Sequence, residues 1–178
     1  MSRLFFALWP GPAVREALAR QAAAAADGSP GARPVHADNL HLTLAFLGAV
    51  PAPRFDDVLA AAQRVSACRF DFALRRLEHW AGADIVCAAP EEVPPPLGML
   101  AAQLRDALRG LELPADDRPY RPHVTLCRKA RQVAANHLAA LATGIDWRAQ
   151  EFVLAESAND GGRSVYRIRM RRSLAAPA

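Results

Sequence analysis

The chain has 178 residues, 52% of them apolar and 22% charged, with a net charge of +4. This is enough for one sizeable core and excludes a disordered or fibrous protein. No apolar run reaches the roughly 18 residues of a membrane span, and the basic residues are 21 Arg and one Lys, Lys129, a balance that suits a polyanionic partner.

RLFFALW (3–9) is apolar and β-prone, and Pro10, Gly11 and Pro12 stop it. Residues 12–26 read as a helix and 28–34 as a Gly/Pro loop. HLTLAFLG (41–48) reads as a strand, and 51–67 as a helix carrying Phe55, Val58, Leu59 and Ala62 at helical spacing. Residues 70–88 look like an antiparallel pair, FDFALRRLEHW followed by DIVCAAP. LGMLAAQLRDALRGL (97–111) has the clearest 3.6 period. A polar, proline-rich loop (114–122) leads to the short strand HVTLCR (123–128). Residues 131–142 read as a helix, and 150–157 and 164–171 as strands joined by the turn ANDGGR. Strands and helices mix without regular βαβ alternation, and no Gly-rich phosphate loop follows a strand. The reading is therefore α+β, as a single domain over residues 1–178. Cys68, Cys87 and Cys127 are scattered in apolar stretches, so they read as buried small residues of a cytoplasmic protein.

Both halves contain His-apolar-Thr-Leu at the head of a strand, at His41 and His123, 82 residues apart. With five His and three Thr in the chain, random placement gives roughly 0.08 His-x-Thr pairs. Two such pairs are too many for a merely structural role. In a strand His41 and Thr43 share one face, as do His123 and Thr125. One imidazole can act as general base and the other, protonated, as general acid. Thr hydroxyls can donate to phosphate oxygens, and Arg128 adds a planar cationic fork suited to phosphate. The set fits metal-free phosphoryl transfer with no cofactor. A zinc site lacks a third ligand at suitable spacing, and no Ser sits in a GxSxG elbow.

NLHLTLAFLG and RPHVTLCR closely resemble the paired His-x-Thr motifs of the 2H phosphoesterase superfamily, in the branch of the bacterial and archaeal RNA 2′,3′-cyclic phosphodiesterases, also called 2′-5′ RNA ligases. RLFFAL is similar to the family's first strand. VLAESANDGGRSVYRIR is similar to its closing hairpin, with Glu156, Ser157 and Tyr166 at the expected places. The resemblance implies a bilobal α+β fold, with two pseudo-symmetric lobes of antiparallel sheet around a central cleft and helices outside. It implies hydrolysis of RNA 2′,3′-cyclic phosphate ends to 2′-phosphates by a monomer. His41, Thr43, His123 and Thr125 match the catalytic motif. Arg128 matches a phosphate-binding arginine, and Phe5 a phenylalanine that can stack on the terminal base. His41 is favoured as proton donor and His123 as base. A reversible 2′-5′ ligase, or a phosphodiesterase on another cyclic or 2′-5′ nucleotide, would use the same pair, whereas a non-catalytic RNA-binding module would need no acid–base pair.

Strict alternation leaves one difficulty. It puts His123, Thr125 and Cys127 on one face and Arg128 on the other, so Arg128 reaches a phosphate only if the strand ends, twists or bulges. Trp9, Trp80 and Trp147 read as core or edge aromatics, and His36 and His137 as exposed. Tyr120 reads equally as a base-stacking or a loop-packing residue.

Overall fold

Pro10, Gly11 and Pro12 separate the first strand, β1 (Ser2–Leu8), from the first helix, α1 (Pro12–Asp27), with Pro12 in the first helical turn where its missing N–H is no loss. The computed structural model describes residues 2–111, 113, 119–141, 144–160 and 163–177. After α1 come β2 (Arg33–Pro34), β3 (Leu42–Val50), α2 (Phe55–Arg64), β4 (Phe70–Leu74), β5 (Arg76–Trp80) and β6 (Ile85–Ala89). α3 (Pro95–Arg109), β7 (Val124–Arg128), α4 (Ala135–Leu141), β8 (Ile145–Ala149), β9 (Glu151–Asp160) and β10 (Arg163–Ser173) complete the order. No helix among the described residues is long and apolar enough to cross a membrane.

The main sheet runs β10-β9-β1-β3-β7-β6-β5, with β2 added on β7, and neighbouring strands pair antiparallel. The two halves expected from the repeat thus share one sheet. Their junction is slight: β3 and β7 meet at a single residue pair, Leu42 opposite Val124. Both side chains are fully buried, and α1 and α3 pack against β7 and β3 respectively. The middle residue of each His-x-Thr motif therefore anchors the junction in the core.

Each motif strand carries a bulge one residue after its threonine. In β3, Ala7 pairs with Thr43 and Phe6 with Ala45, leaving Leu44 as the extra residue. In β7, Cys87 pairs with Thr125 and Val86 with Cys127, leaving Leu126 as the extra residue. A bulge resets the alternation of faces. Cys127 consequently turns inward, fully buried, with its Sγ–H donating to the Ala22 carbonyl of α1 at 3.1 Å. Arg128 turns out to the face of Thr125, which resolves the difficulty left by strict alternation.

Other expectations change in detail. The run 70–80 is two strands, because the chain changes partners at Arg75, whose N–H donates to the Ala89 carbonyl at 3.0 Å. β4 pairs with β8 in a separate two-stranded sheet, while β5 pairs with β6. β8 was not expected, although IDWRA alternates buried Ile145, Trp147 and Ala149 with exposed Asp146 and Arg148. Cys68 is exposed; only Cys87 and Cys127 have the buried positions expected of all three. Gly161 and Gly162 of the ANDGGR turn lie outside the described residues.

Leu42→Ala should destabilise the fold by about 2–5 kcal/mol in denaturant unfolding, as expected for a cavity at a fully buried site. Met99→Ala, at a residue 59% exposed, should change stability by less than about 0.5 kcal/mol.

Candidate active site

His41 and His123 each stand one residue before a strand, where the backbone is not yet committed to a ladder. Both are held in the same way. Nδ1–H of His41 donates to the Asn39 carbonyl at 2.6 Å, and Nδ1–H of His123 to the Arg121 carbonyl at 2.8 Å. A bond at Nδ1 fixes the neutral tautomer and leaves the Nε2 lone pair for another partner. Continuing the register of Leu42 with Val124 sets Thr125 opposite His41 and Thr43 opposite His123. Four polar side chains thus meet about the junction, opposite the face that Leu42 and Val124 bury.

A cavity of about 850 Å³ opens at this junction, with His41, Thr125 and Arg128 in its wall, joined by Arg33, Lys129 and Tyr166. Thr43 and His123 lie outside that wall, across the Leu42–Val124 pair. β3 and β7 separate beyond this pair, and residues 33–39 fill the wedge, with Val35 N–H donating to the Leu126 carbonyl at 2.7 Å.

The Phe5 side chain is 3% exposed, with its ring 4.8 Å from that of His41 and 5.2 Å from that of Tyr166. It packs against the imidazole, and little of its ring is exposed.

The two imidazoles have unlike surroundings. Trp9 stacks on His41 at 5.5 Å with an interplanar angle of 10°, and Tyr166 meets it edge-on at 5.1 Å. Burial in this aromatic box lowers the His41 pKa from 6.5 to about 4, against the opposing bond to Asn39 and with further lowering by Arg128 and His123. His123 lies 4.4 Å from the Trp80 ring. Arg121 caps that ring at 4.3 Å and pairs with Glu78 at 3.2 Å, while Trp80 Nε1–H donates to Glu78 at 2.7 Å. Burial lowers the His123 pKa as well; Arg121 and Arg128 add to the fall, whereas the Arg121 carbonyl and the Glu78 carboxylate oppose it.

The family LigT like Phosphoesterase matches this chain twice, over residues 8–84 and 88–166, one His-x-Thr motif falling in each match. The RNA 2′,3′-cyclic phosphodiesterase of Escherichia coli (strain K12) is 33% identical over 166 residues, 92% of this chain and 92% of the relative. The chain belongs to the LigT-like phosphoesterase family. The RNA 2′,3′-cyclic phosphodiesterase of Thermus thermophilus is 31% identical across 97% of this chain and 90% of its own length. The crystal structure of E. coli LigT complexed with 3′-AMP superposes with a TM-score of 0.82 at 30% identity, covering 97% of this chain and 98% of the other.

Several residues around this candidate site carry no signal in residue type. Asn39 and Arg121 hold the imidazoles through backbone carbonyls, a role open to most residues. Asn39 also donates from Nδ2 to the Ser164 carbonyl at 2.7 Å, tying the loop before His41 to β10. Trp9 and Trp80, expected as core or edge aromatics, each pack on one imidazole. Tyr120 packs the loop: its hydroxyl donates to the Thr43 carbonyl at 3.2 Å and Arg105 caps its ring. His137, expected to be exposed, is half-buried with Nε2–H donating to the Ala24 carbonyl at 2.8 Å.

In an NMR titration, the His41 ring should change charge near pH 4, well below the ordinary 6.5. Since the unfolded chain takes this proton first, the His41 contribution to stability is full above pH 6.5 and is lost as pH falls toward 4. A His41 midpoint at 6.5 would contradict the burial described.

Proposed function

We propose that the chain hydrolyses RNA 2′,3′-cyclic phosphate ends to 2′-phosphates, with His41 and His123 as the acid–base pair. The observation that carries this reading is the twin arrangement of imidazoles. Each has Nδ1–H tied to a carbonyl two residues earlier, and the two flank a junction that also presents Thr43, Thr125 and Arg128. The names of the E. coli and T. thermophilus relatives support the substrate class, and 3′-AMP bound to E. coli LigT supports a nucleotide ligand.

Water attacks phosphorus, and one imidazole takes its proton at Nε2. The bond from phosphorus to the ribose 3′-oxygen breaks, and the other imidazole donates its Nε2 proton to that oxygen. The Thr43 and Thr125 hydroxyls and the Arg128 guanidinium hold the non-bridging oxygens as negative charge concentrates there. These residues supply nucleophile activation, leaving-group protonation and charge stabilisation without a metal. The Phe5 ring contributes by backing His41.

His41 as donor and His123 as base is the order favoured by the motif resemblance. The surroundings of the two rings favour the reverse, because burial holds His41 near 4 while Glu78 offsets part of the lowering at His123. With His41 as donor, the negative charge of the bound phosphate must offset its burial.

Replacing either histidine by alanine should lower turnover of a 2′,3′-cyclic phosphate by about 10²–10⁴-fold without unfolding the protein. A phosphodiester with a p-nitrophenolate leaving group, which departs without protonation, separates the two orders. It restores turnover in the variant lacking the acid and leaves the variant lacking the base slow. Full activity of both alanine variants would overturn the reading. Turnover should survive EDTA, and loss that added zinc restores would contradict a metal-free route.

A further inference from the structure

Most arginines around the fold have an acidic partner: Arg54 with Asp57, Arg75 with Asp146, Arg121 with Glu78 and Arg169 with Glu156 are examples. Arg33, Arg128 and Lys129 form no such ion pair among the described residues, yet all three line the same cavity. Asp38, the acidic side chain in that wall, is 3.6 Å from Arg15 and 3.6 Å from His36.

Their placement is unfavourable without a ligand. Arg33 and Arg128 are directly opposite across the β2–β7 ladder, which puts two guanidinium groups on the same face. Like charges in that position repel and destabilise a sheet. Lys129 follows at once, in a left-handed backbone conformation with φ of 60°, uncommon for a residue other than glycine. Arg128 shares the cavity wall with His41 and Thr125, and its charge lowers the pKa of both imidazoles. It therefore serves the reacting phosphate, and Arg33 and Lys129 add two further positive charges to the same wall.

We propose that Arg33 and Lys129 form a second phosphate subsite, which holds the 5′-phosphate of the terminal nucleotide, the link to the rest of an RNA chain. This rests on the proposed cyclic phosphodiesterase activity and narrows its substrate. The site takes RNA ends, or 5′-phosphorylated nucleotides, in preference to a nucleoside 2′,3′-cyclic phosphate with a free 5′-hydroxyl. A planar guanidinium and a compact ammonium on either side of one phosphate satisfy its oxygens from two directions.

The test compares kcat/KM for adenosine 2′,3′-cyclic phosphate, its 5′-phosphorylated form and a dinucleotide ending in the same cyclic phosphate. The wild type should favour the two 5′-phosphorylated substrates by about 10-fold or more, chiefly through KM, as charge-assisted hydrogen bonds imply. In Arg33→Ala/Lys129→Ala this ratio should fall toward one. For a longer RNA substrate, the salt slope of log(1/KM) should lessen by about 0.7 on loss of one phosphate contact. Comparing substrates within each protein keeps a general folding defect from imitating the result. Lys129 is the chain's single lysine, so its acetylation gives a readout independent of turnover. Adenosine 2′,5′-bisphosphate should protect it, and adenosine 2′-phosphate should not. A wild type indifferent to the 5′-phosphate, a variant that keeps the full ratio, or equal protection by both nucleotides would each overturn the subsite. Failure of the wild type to cleave any of the three substrates would instead overturn the parent activity.

Discussion

The site depends on one narrow contact, the pairing of Leu42 with Val124. These side chains are buried, so in an extended backbone their neighbours must face the other way. Antiparallel pairing then makes each histidine the cross-strand neighbour of the other motif's threonine. Were β3 and β7 paired along their full lengths, no room would remain between them for the segment 33–39, residues of which line the cavity. Because they meet at one residue pair and then diverge, the same contact both assembles the polar quartet and leaves a cavity beside it. The bulges at Leu44 and Leu126 complete the arrangement. Each gives the strand a second consecutive inward residue, and the one in β7 brings Arg128 to the cavity.

The two halves repeat a backbone plan but diverge in chemistry. The residue after the bulge-flanking pair is Arg128 in β7 and Phe46 in β3, the latter 40% exposed. One imidazole lies among Phe5, Trp9 and Tyr166, the other beside Trp80, Arg121 and Glu78. An acid and a base need different protonation states, and neighbours of unlike charge are one way to bias two otherwise matching imidazoles toward them. The repeated backbone plan sets where the groups are, and the divergent surroundings set which charges each imidazole meets.

Much of this was legible in the chain itself. The twin motifs stand out because threonine is scarce, and helices such as α3 announce themselves by the spacing of Leu97, Leu100, Leu104 and Leu108. What escaped reading was whatever depends on backbone pairing across long separations. The bulge that turns Arg128 outward is invisible in HVTLCR, since nothing in that string distinguishes a bulged strand from a straight one. The break at Arg75 is likewise set by two distant partners, β8 and β6. Phe5 and Phe6 are adjacent and chemically alike; both prove buried, on opposite faces of β1, so residue type alone could not tell an imidazole's support from a base platform. β8 is legible by the ordinary strand rule, for its five residues alternate cleanly.

A crystal structure with a 2′-nucleotide bound reports whether one phosphate sits between the two imidazoles that the Leu42–Val124 pair brings together. The expected result is a phosphate within hydrogen-bond distance of Nε2 of both His41 and His123, with Arg128 and the two threonine hydroxyls on its remaining oxygens. A phosphate that contacts only one imidazole, or binds away from the Leu42–Val124 junction, would contradict it.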